Sequence, residues 1–97
     1  MSDAKVVRLL RREKAREITG DSNAVFYDKQ NKGLLPRPIK IGLRSVAWPE
    51  HELVRVANAR IAGRSDEEIK KLVAAIMAER RRADSPVEPD VLVGGAA

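Results

Sequence analysis

The segment PRPIKIGLRSVAWPEHE, residues 36–52, has the features of a short β-hairpin. Pro36 and Pro38 disfavour helix and hold the chain extended. Gly42 suits the first central position of a two-residue type II′ turn, which requires a positive φ, and Leu43 would be the second. The segment therefore predicts two strands joined at Gly42-Leu43.

This turn predicts which side chains share a face of the hairpin, since paired residues point to the same side and successive residues alternate. Lys40 would lie opposite Ser45, with both facing away from the core and Arg44 at the tip. The side chains expected to face the core are Ile39, Ile41, Val46 and Trp48. We thus expect a hairpin with an apolar underside and a basic outer face.

Two short helices are predicted before the hairpin. The segment RREKAREITG predicts a helix that ends at its glycine, and residues 6–10 before it form either a short strand or the start of that helix. Asp21 or Ser22 would cap a second helix running from about Ser22 to Gln30. Its inward-facing side chains would be Val25 and Phe26. Helix, tight turn and helix form the helix-turn-helix pattern, whose second helix can enter the major groove of DNA, and a basic hairpin directly after it is a wing.

Two further helices are predicted after the hairpin. The first would have Pro49 at its first helical position and stop at Gly63. The sequence SDEE at residues 65–68 is a capping box, which opens a second helix ending near Arg82. The apolar stripe of this last helix comprises Ile69, Leu72, Val73, Ile76 and Met77. The stripe either packs on the winged unit or forms the seam of a homodimer or of an array on DNA.

The predicted fold is mainly α with a small β-hairpin: a winged helix-turn-helix with an added C-terminal helix. A length of 97 residues suits one domain. The expected organisation is a flexible N-terminus (1–5), a winged helix-turn-helix domain (6–63), a C-terminal amphipathic helix (64–82) and a disordered acidic tail (83–97).

The composition excludes several classes of protein. The absence of cysteine excludes a disulfide scaffold and a thiolate metal site, and a single histidine cannot form a histidine-rich one. No apolar run approaches the roughly 20 residues of a membrane span, and the N-terminus lacks the features of a secretory signal. No catalytic constellation or phosphate-binding glycine loop is present. We expect a cytoplasmic, nucleoid-associated protein that is not an enzyme and needs no cofactor, metal or small-molecule ligand.

The positive charge is concentrated in the first half of the chain. The formal net charge is +5, with a pI of about 10.0. No carboxylate lies between Lys29 and Arg44, whereas the chain from Asp84 onward carries acids and no bases. A basic face of this kind favours an anionic partner.

With these elements in order, the sequence resembles the AlpA family of phage-type regulators, small winged-helix proteins similar to excisionases and to the DNA-binding domains of MerR-type regulators. The segments that carry the resemblance are RLLRR (8–12), TGDSNAVFYD (19–28), GLLPRPIKIG (33–42) and RSVAW (44–48). The later segment ARIAGRSDEEIKKLV resembles a C-terminal extension found in part of that family. The resemblance spans about residues 6–82.

The resemblance implies a sequence-specific, double-stranded DNA-binding transcriptional regulator of a prophage or integrated mobile element. Its alternative is an excisionase that bends attachment-site DNA. The sequence departs from the family pattern in two places. Where many members carry an arginine and small hydroxylated residues, this chain has residues 23–25 as Asn-Ala-Val, and Leu35 stands where many have phenylalanine. The first departure changes the chemistry that would face the groove.

The candidate DNA contacts lie on the second helix, the wing and the first helix. Asparagine pairs well with adenine, and hydroxyl and cationic groups suit phosphates. The candidates are Ser22, Asn23, Tyr27, Lys29, Lys32, Arg37, Lys40, Arg44 and Ser45, with Arg8, Arg11 and Arg12 as further phosphate contacts. A solvated charged surface is the alternative for the basic residues, and packing on the wing is the alternative for Tyr27.

Two other functions remain open at this point. A protein-interaction adaptor would use the basic face for an acidic partner and the last helix for specificity. RNA binding has less support, because the chain lacks the aromatic-rich sheet on which single-stranded bases usually stack.

Overall fold

The structure, a computed structural model, describes residues 7–83. Along these residues the chain forms three short strands and four helices: β1 (Leu9–Leu10), α1 (Arg12–Thr19), α2 (Asn23–Asn31), β2 (Ile39–Lys40), β3 (Val46–Pro49), α3 (Glu50–Ile61) and α4 (Asp66–Ala83). This confirms the mainly α, winged helix-turn-helix class. The flexibility predicted for residues 1–5 and the acidic tail predicted from residue 83 lie outside the described residues, except that Ala83 is the last residue of α4.

Within the described residues, the strands form one antiparallel sheet in the order β1-β3-β2. Leu9 pairs with Pro49 and Leu10 with Trp48, so the apolar run before α1 is an edge strand rather than the start of the helix. The central strand β3 places both Ala47 and Trp48 in the interior. The wing is therefore anchored by a strand that is covered on its two faces.

The hairpin register differs by one residue from the prediction. Lys40 pairs with Val46 instead of Ser45, and the Ile41 N–H donates a hydrogen bond to the Ser45 carbonyl at 2.9 Å. The loop is therefore the three residues Gly42–Arg44. Its glycine does not adopt a positive φ, so the predicted type II′ turn is wrong.

The change of register moves Ile41 out of the core. A slip of one residue changes the face of every side chain of one strand relative to its partner, so Ile39 and Ile41 now share a face with Ala47 rather than with Val46 and Trp48. Ile41, predicted to be buried, is exposed, whereas Ile39 now lies opposite Ala47. Lys40 remains exposed, as predicted.

Trp48 lies in the core, as the sequence predicted, with only 1% of its surface exposed. Its ring meets that of Phe26 edge to face, with centroids 5.2 Å apart and planes at 78°, a favoured aromatic geometry. Val25, the neighbour of Phe26 that was also predicted to face inward, is exposed instead. The other large buried core residues are Leu34, Leu35, Leu53, Val56, Ile69, Val73 and Ile76.

Helix α3 begins one residue later than predicted. Pro49 has extended backbone angles (φ −64°, ψ 127°) and serves as the N-cap rather than the first helical residue. It belongs to β3, where it pairs with Leu9. The next residue, Glu50, donates its N–H to the Arg8 carbonyl at 2.7 Å, which continues the sheet contact into the first residue of the helix.

Helix α4 begins at the predicted capping box. The Ser65 hydroxyl accepts a hydrogen bond from the Glu68 N–H at 3.2 Å, and the Glu68 carboxylate accepts one from the Ser65 N–H at 2.9 Å. These reciprocal bonds satisfy two amides that the helix start would otherwise leave unpaired. The local sequence was sufficient to place this helix.

The apolar stripe of α4 packs on the winged unit. Ile69, Val73 and Ile76 are buried in the core, and Leu72 and Met77 are partly buried against it. The packing of this stripe on the winged unit is therefore the alternative that the structure shows.

A buried ion pair joins α4 to α3 and to the base of the wing. Glu52 is only 4% exposed, and its carboxylate accepts hydrogen bonds from Arg80 Nε at 2.9 Å and from Arg80 Nη2. The same Nη2 donates to the Arg37 carbonyl at 2.7 Å. Arg80 thus connects three segments that are distant in sequence.

Two exposed ion pairs also connect α3 with α4. Arg55 donates to Glu79 at 2.7 Å, and Arg60 donates to Asp66 at 2.8 Å. The hydrogen bond from its arginine lowers the pKa of each carboxyl group. Because both pairs face solvent, they contribute little to stability. No helix among residues 7–83 is long and apolar enough to cross a membrane.

Candidate nucleic-acid interface

A tight turn of three residues connects α1 to α2. Gly20 follows Thr19 with φ 76° and donates its N–H to the Arg16 carbonyl at 2.7 Å, which ends α1. A left-handed residue at this position favours glycine, because it has no Cβ. The Ser22 hydroxyl then accepts the Val25 N–H at 3.2 Å, so Ser22 rather than the preceding aspartate caps α2.

The outer face of α2 presents polar and apolar groups together. Asn23 is exposed, as a base-reading residue must be, and Tyr27 is 62% exposed rather than packed on the wing. Val25 is 44% exposed on this helix, and sequence reasoning missed it as a candidate because its position predicted burial. An exposed valine can contact the methyl group of thymine.

Lys29 is engaged within the chain. Its Nζ lies 2.9 Å from Asp21 Oδ1, and the two side chains are only 26% and 9% exposed. This ion pair ties α2 to the turn before it and covers much of the Lys29 side chain. Lys32 pairs with Asp28 at 3.0 Å, but both of these side chains are mostly exposed, and Lys32 remains accessible.

The wing carries exposed basic side chains at its edge and its tip. Within residues 7–83, no carboxylate lies within 4.0 Å of Lys40 or Arg44. Arg37 at the base of the wing has an exposed side chain, while Ser45 is half-buried. Lys40 and Arg44 are thus accessible cations held on a β-hairpin.

A basic cleft forms where the wing approaches the start of α1. This depression of about 360 Å³ is lined by Arg11, Arg12, Glu13, Lys14, Arg44 and Val46. Four of these six side chains are lysine or arginine. Three come from the start of α1 and one from the wing, about 30 residues later. Arg11, Arg12 and Arg44 were predicted as DNA contacts, whereas Lys14 was not, because only the folded wing brings Arg44 into the same cleft. Arg8, the remaining predicted phosphate contact, lies 3.8 Å from Glu50 and is exposed.

The basic cleft is suited to an anionic oxygen. Arg11 is the N-cap of α1 and makes no side-chain capping hydrogen bond, so the positive end of the helix dipole adds to the four cationic side chains. Lys14 has a weak surface partner in Glu17, at 3.7 Å. The arrangement can hold a phosphodiester through charge-assisted hydrogen bonds.

The cap at Ser22 can be tested separately from any DNA contact. Ser22→Ala is expected to lower the free energy of unfolding by about 1 kcal/mol, because it removes the partner of the Val25 N–H. Ser22→Asp retains a capping oxygen and should unfold within a few tenths of a kcal/mol of the wild type. Urea denaturation followed by circular dichroism measures both, and equal destabilisation by the two variants would contradict the capping role.

Comparison with known proteins identifies the family. The chain matches the family model described as prophage CP4-57 regulatory protein (AlpA) over residues 8–61, which is more than half of its length. No curated protein and no solved structure matches it. The matched segment contains the helix-turn-helix, the wing and the basic cleft. AlpA is a regulatory family and not an enzyme family, and the chain belongs to the AlpA family of prophage regulatory proteins.

Proposed function

We propose that the protein is a sequence-specific, double-stranded DNA-binding transcriptional regulator of a prophage or integrated mobile element. Its membership of a prophage regulatory family supports the regulatory role. The observation that supports DNA as the ligand is the basic cleft, where lysine and arginine side chains from α1 and from the wing come together. Phosphate neutralisation by such bases supplies a large share of the affinity for DNA.

In this proposal α2 lies in the major groove. Asn23 can form two hydrogen bonds with adenine, and Val25 can contact a thymine methyl group. The Tyr27 and Ser22 hydroxyls suit a phosphate or a base edge. The Asp21–Lys29 ion pair holds the turn and α2 together and acts as a positioning contact.

The wing and the basic cleft hold the sugar–phosphate backbone next to that groove. Arg11, Arg12 and Lys14 bind phosphates from the start of α1, and Arg44 binds from the wing. The remaining backbone contacts are Arg8, Lys32, Arg37, Lys40 and Ser45. These contacts fix the position of the protein on the duplex, whereas α2 reads the bases.

The packing of α4 gives the adaptor alternative less support. It uses the apolar stripe of α4 to bind a partner protein, and three of the five side chains of that stripe are buried in the chain's own core, with the other two partly buried against it. The exposed lysine and arginine side chains of the first half of the chain are still available to a partner. Several of them lie together at the positive end of α1, which favours a polyanion such as DNA.

The test is a binding experiment with two duplexes at several salt concentrations. One duplex is recovered by selection from a random-sequence pool, and the other is a scrambled version of equal length. Fluorescence anisotropy should show a preference of about a thousandfold or more for the selected duplex. The slope of log affinity against log salt, about −0.9 per phosphate, then gives the number of phosphates held. Equal affinity for both duplexes at every salt concentration would contradict sequence-specific binding.

A further inference from the structure

The tip of the wing presents a leucine to solvent. Leu43 is 90% exposed, the highest fraction among the exposed large hydrophobic side chains of residues 7–83. Ile41, two residues earlier on the same hairpin, is also exposed. Leu43 on the loop and Ile41 beside it form a small exposed apolar tip, in which the Leu43 side chain is almost wholly open to solvent.

The hairpin holds this point in a defined position. Leu43 is the middle residue of the loop Gly42–Arg44, which is closed by the hydrogen bond from the Ile41 N–H to the Ser45 carbonyl at 2.9 Å. The strand that follows is fixed by Trp48 in the core. At the other end of the hairpin, Arg80 binds the Arg37 carbonyl at 2.7 Å. A tip anchored in this way keeps its direction when it meets a partner.

The charges around the tip indicate what the partner is. Lys40 and Arg44 flank Leu43, and neither has a carboxylate within 4.0 Å in the part of the chain that the structure describes. An apolar protein pocket would have to accept these two cations without compensation. The minor groove of DNA suits both features. Its negative potential attracts the lysine and arginine side chains, and an apolar side chain can insert between its stacked base pairs.

We propose that Leu43 is an apolar wedge that enters the minor groove, partly unstacks one base step and bends the duplex. The proposal rests on the proposed DNA-binding function and adds a deformation of the DNA to it. Wedges of this kind kink a duplex by about 20–90°. Pyrimidine–purine steps such as TA and CA are the easiest to unstack. Leu43 would thereby make the protein prefer such a step at a position where no side chain forms a hydrogen bond to a nucleobase.

The experiment compares the full-length wild type, Leu43→Ala and a matched control on the selected duplex. The control is Ile61→Ala, because Ile61 is 83% exposed at the end of α3 and loses a similar exposed apolar side chain. Energy transfer between dyes at the two ends of the duplex reports the bend, and anisotropy reports the affinity. We expect the wild type and Ile61→Ala to bend the duplex by at least about 20°. Leu43→Ala should lose most of that bend and about tenfold in affinity.

A second readout locates the wedge. 2-Aminopurine placed in turn at successive steps beside the selected site should brighten at one step with the wild type, since its fluorescence rises when it is unstacked. The same step should stay dark with Leu43→Ala. Circular dichroism and thermal unfolding confirm that the variants fold, which is expected because both replaced side chains are exposed.

The outcomes separate the wedge from the function on which it rests. If the wild type prefers the selected duplex but leaves it straight, the wedge is wrong and the regulator proposal stands. If Leu43→Ala binds less tightly yet bends the duplex as the wild type does, Leu43 is an ordinary surface contact and the wedge is again wrong. If the wild type shows no preference for any duplex, both proposals fail together.

Discussion

Reversing the charge of both wing bases, by Lys40→Glu with Arg44→Glu, is expected to lower the affinity for the selected duplex by about 100-fold or more. A hydrogen bond to a charged group contributes about 1.5–3 kcal/mol, and two such losses exceed the roughly 2.8 kcal/mol that corresponds to 100-fold. The salt slope should become shallower by about two phosphate contacts. Because Lys40 and Arg44 are exposed, the free energy of unfolding should change little.

A control with the same change in net charge makes this result specific to the wing. Lys70→Glu with Lys71→Glu alters two exposed lysines of α4 and, like the wing pair, lowers the net charge by four, from +5 to +1. This control should cost less than about tenfold in affinity, since charges beyond a Debye length of about 8 Å are largely screened at physiological salt. Equal losses for the two pairs would mean that overall charge, and not the wing, provides the affinity.

The second large effect is expected on stability, from Arg80→Met. This substitution leaves the Glu52 carboxylate 4% exposed and without its cation, and it also removes the hydrogen bond to the Arg37 carbonyl. Removing one partner of a buried ion pair costs about 3–5 kcal/mol, because the remaining charge is uncompensated. Urea denaturation of the wild type and the variant measures this loss.

Two comparisons test the reason for that loss. Arg55→Met breaks an exposed pair between the same two helices, with Glu79, and should destabilise the protein far less. Adding Glu52→Leu to Arg80→Met removes the stranded carboxylate and should recover most of the stability, since buried pairs are often replaceable by apolar residues. If Arg80→Met and Arg55→Met proved equally harmful, burial of Glu52 would not be the cause.

Much of the fold could be predicted because its signals are local. Gly20 ends α1 at the predicted place, Ser22 is one of the two predicted caps of α2, and residues 65–68 form the predicted capping box. Each of these features depends on side chains and backbone within four residues of one another. The burial of Trp48 followed from its position on an apolar strand. The family resemblance, carried by short segments, is confirmed by the match over residues 8–61.

The features that were missed depend on contacts between distant residues. Gly42 alone did not predict the hairpin register. The burial of both Ala47 and Trp48 fixes the position of β3, and in the resulting pairing of Lys40 with Val46 the loop has three residues instead of two. The pair of Glu52 and Arg80 spans 28 residues and leaves no periodic signature. The basic cleft has the same origin, since Lys14 and Arg44 become neighbours only after the wing folds onto α1.

The same reason explains why the ion pair of Lys29 was not predicted. Asp21 lies eight residues earlier and is brought back to Lys29 by the turn. A helical pattern shows which face a lysine occupies and does not show which carboxylate the preceding loop will place beside it.

The buried stripe of α4 has a consequence for how this protein can be divided. The family match ends at Ile61, yet Ile69, Val73 and Ile76 beyond it fill the core, and Arg80 closes over Glu52. The segment that matches the family model is therefore shorter than the segment whose side chains build the core. A fragment that ends at Ile61 would expose to water the core side chains that α4 covers. A chimaera that exchanges the winged helix-turn-helix must therefore include α4 or supply a helix with the same three buried side chains.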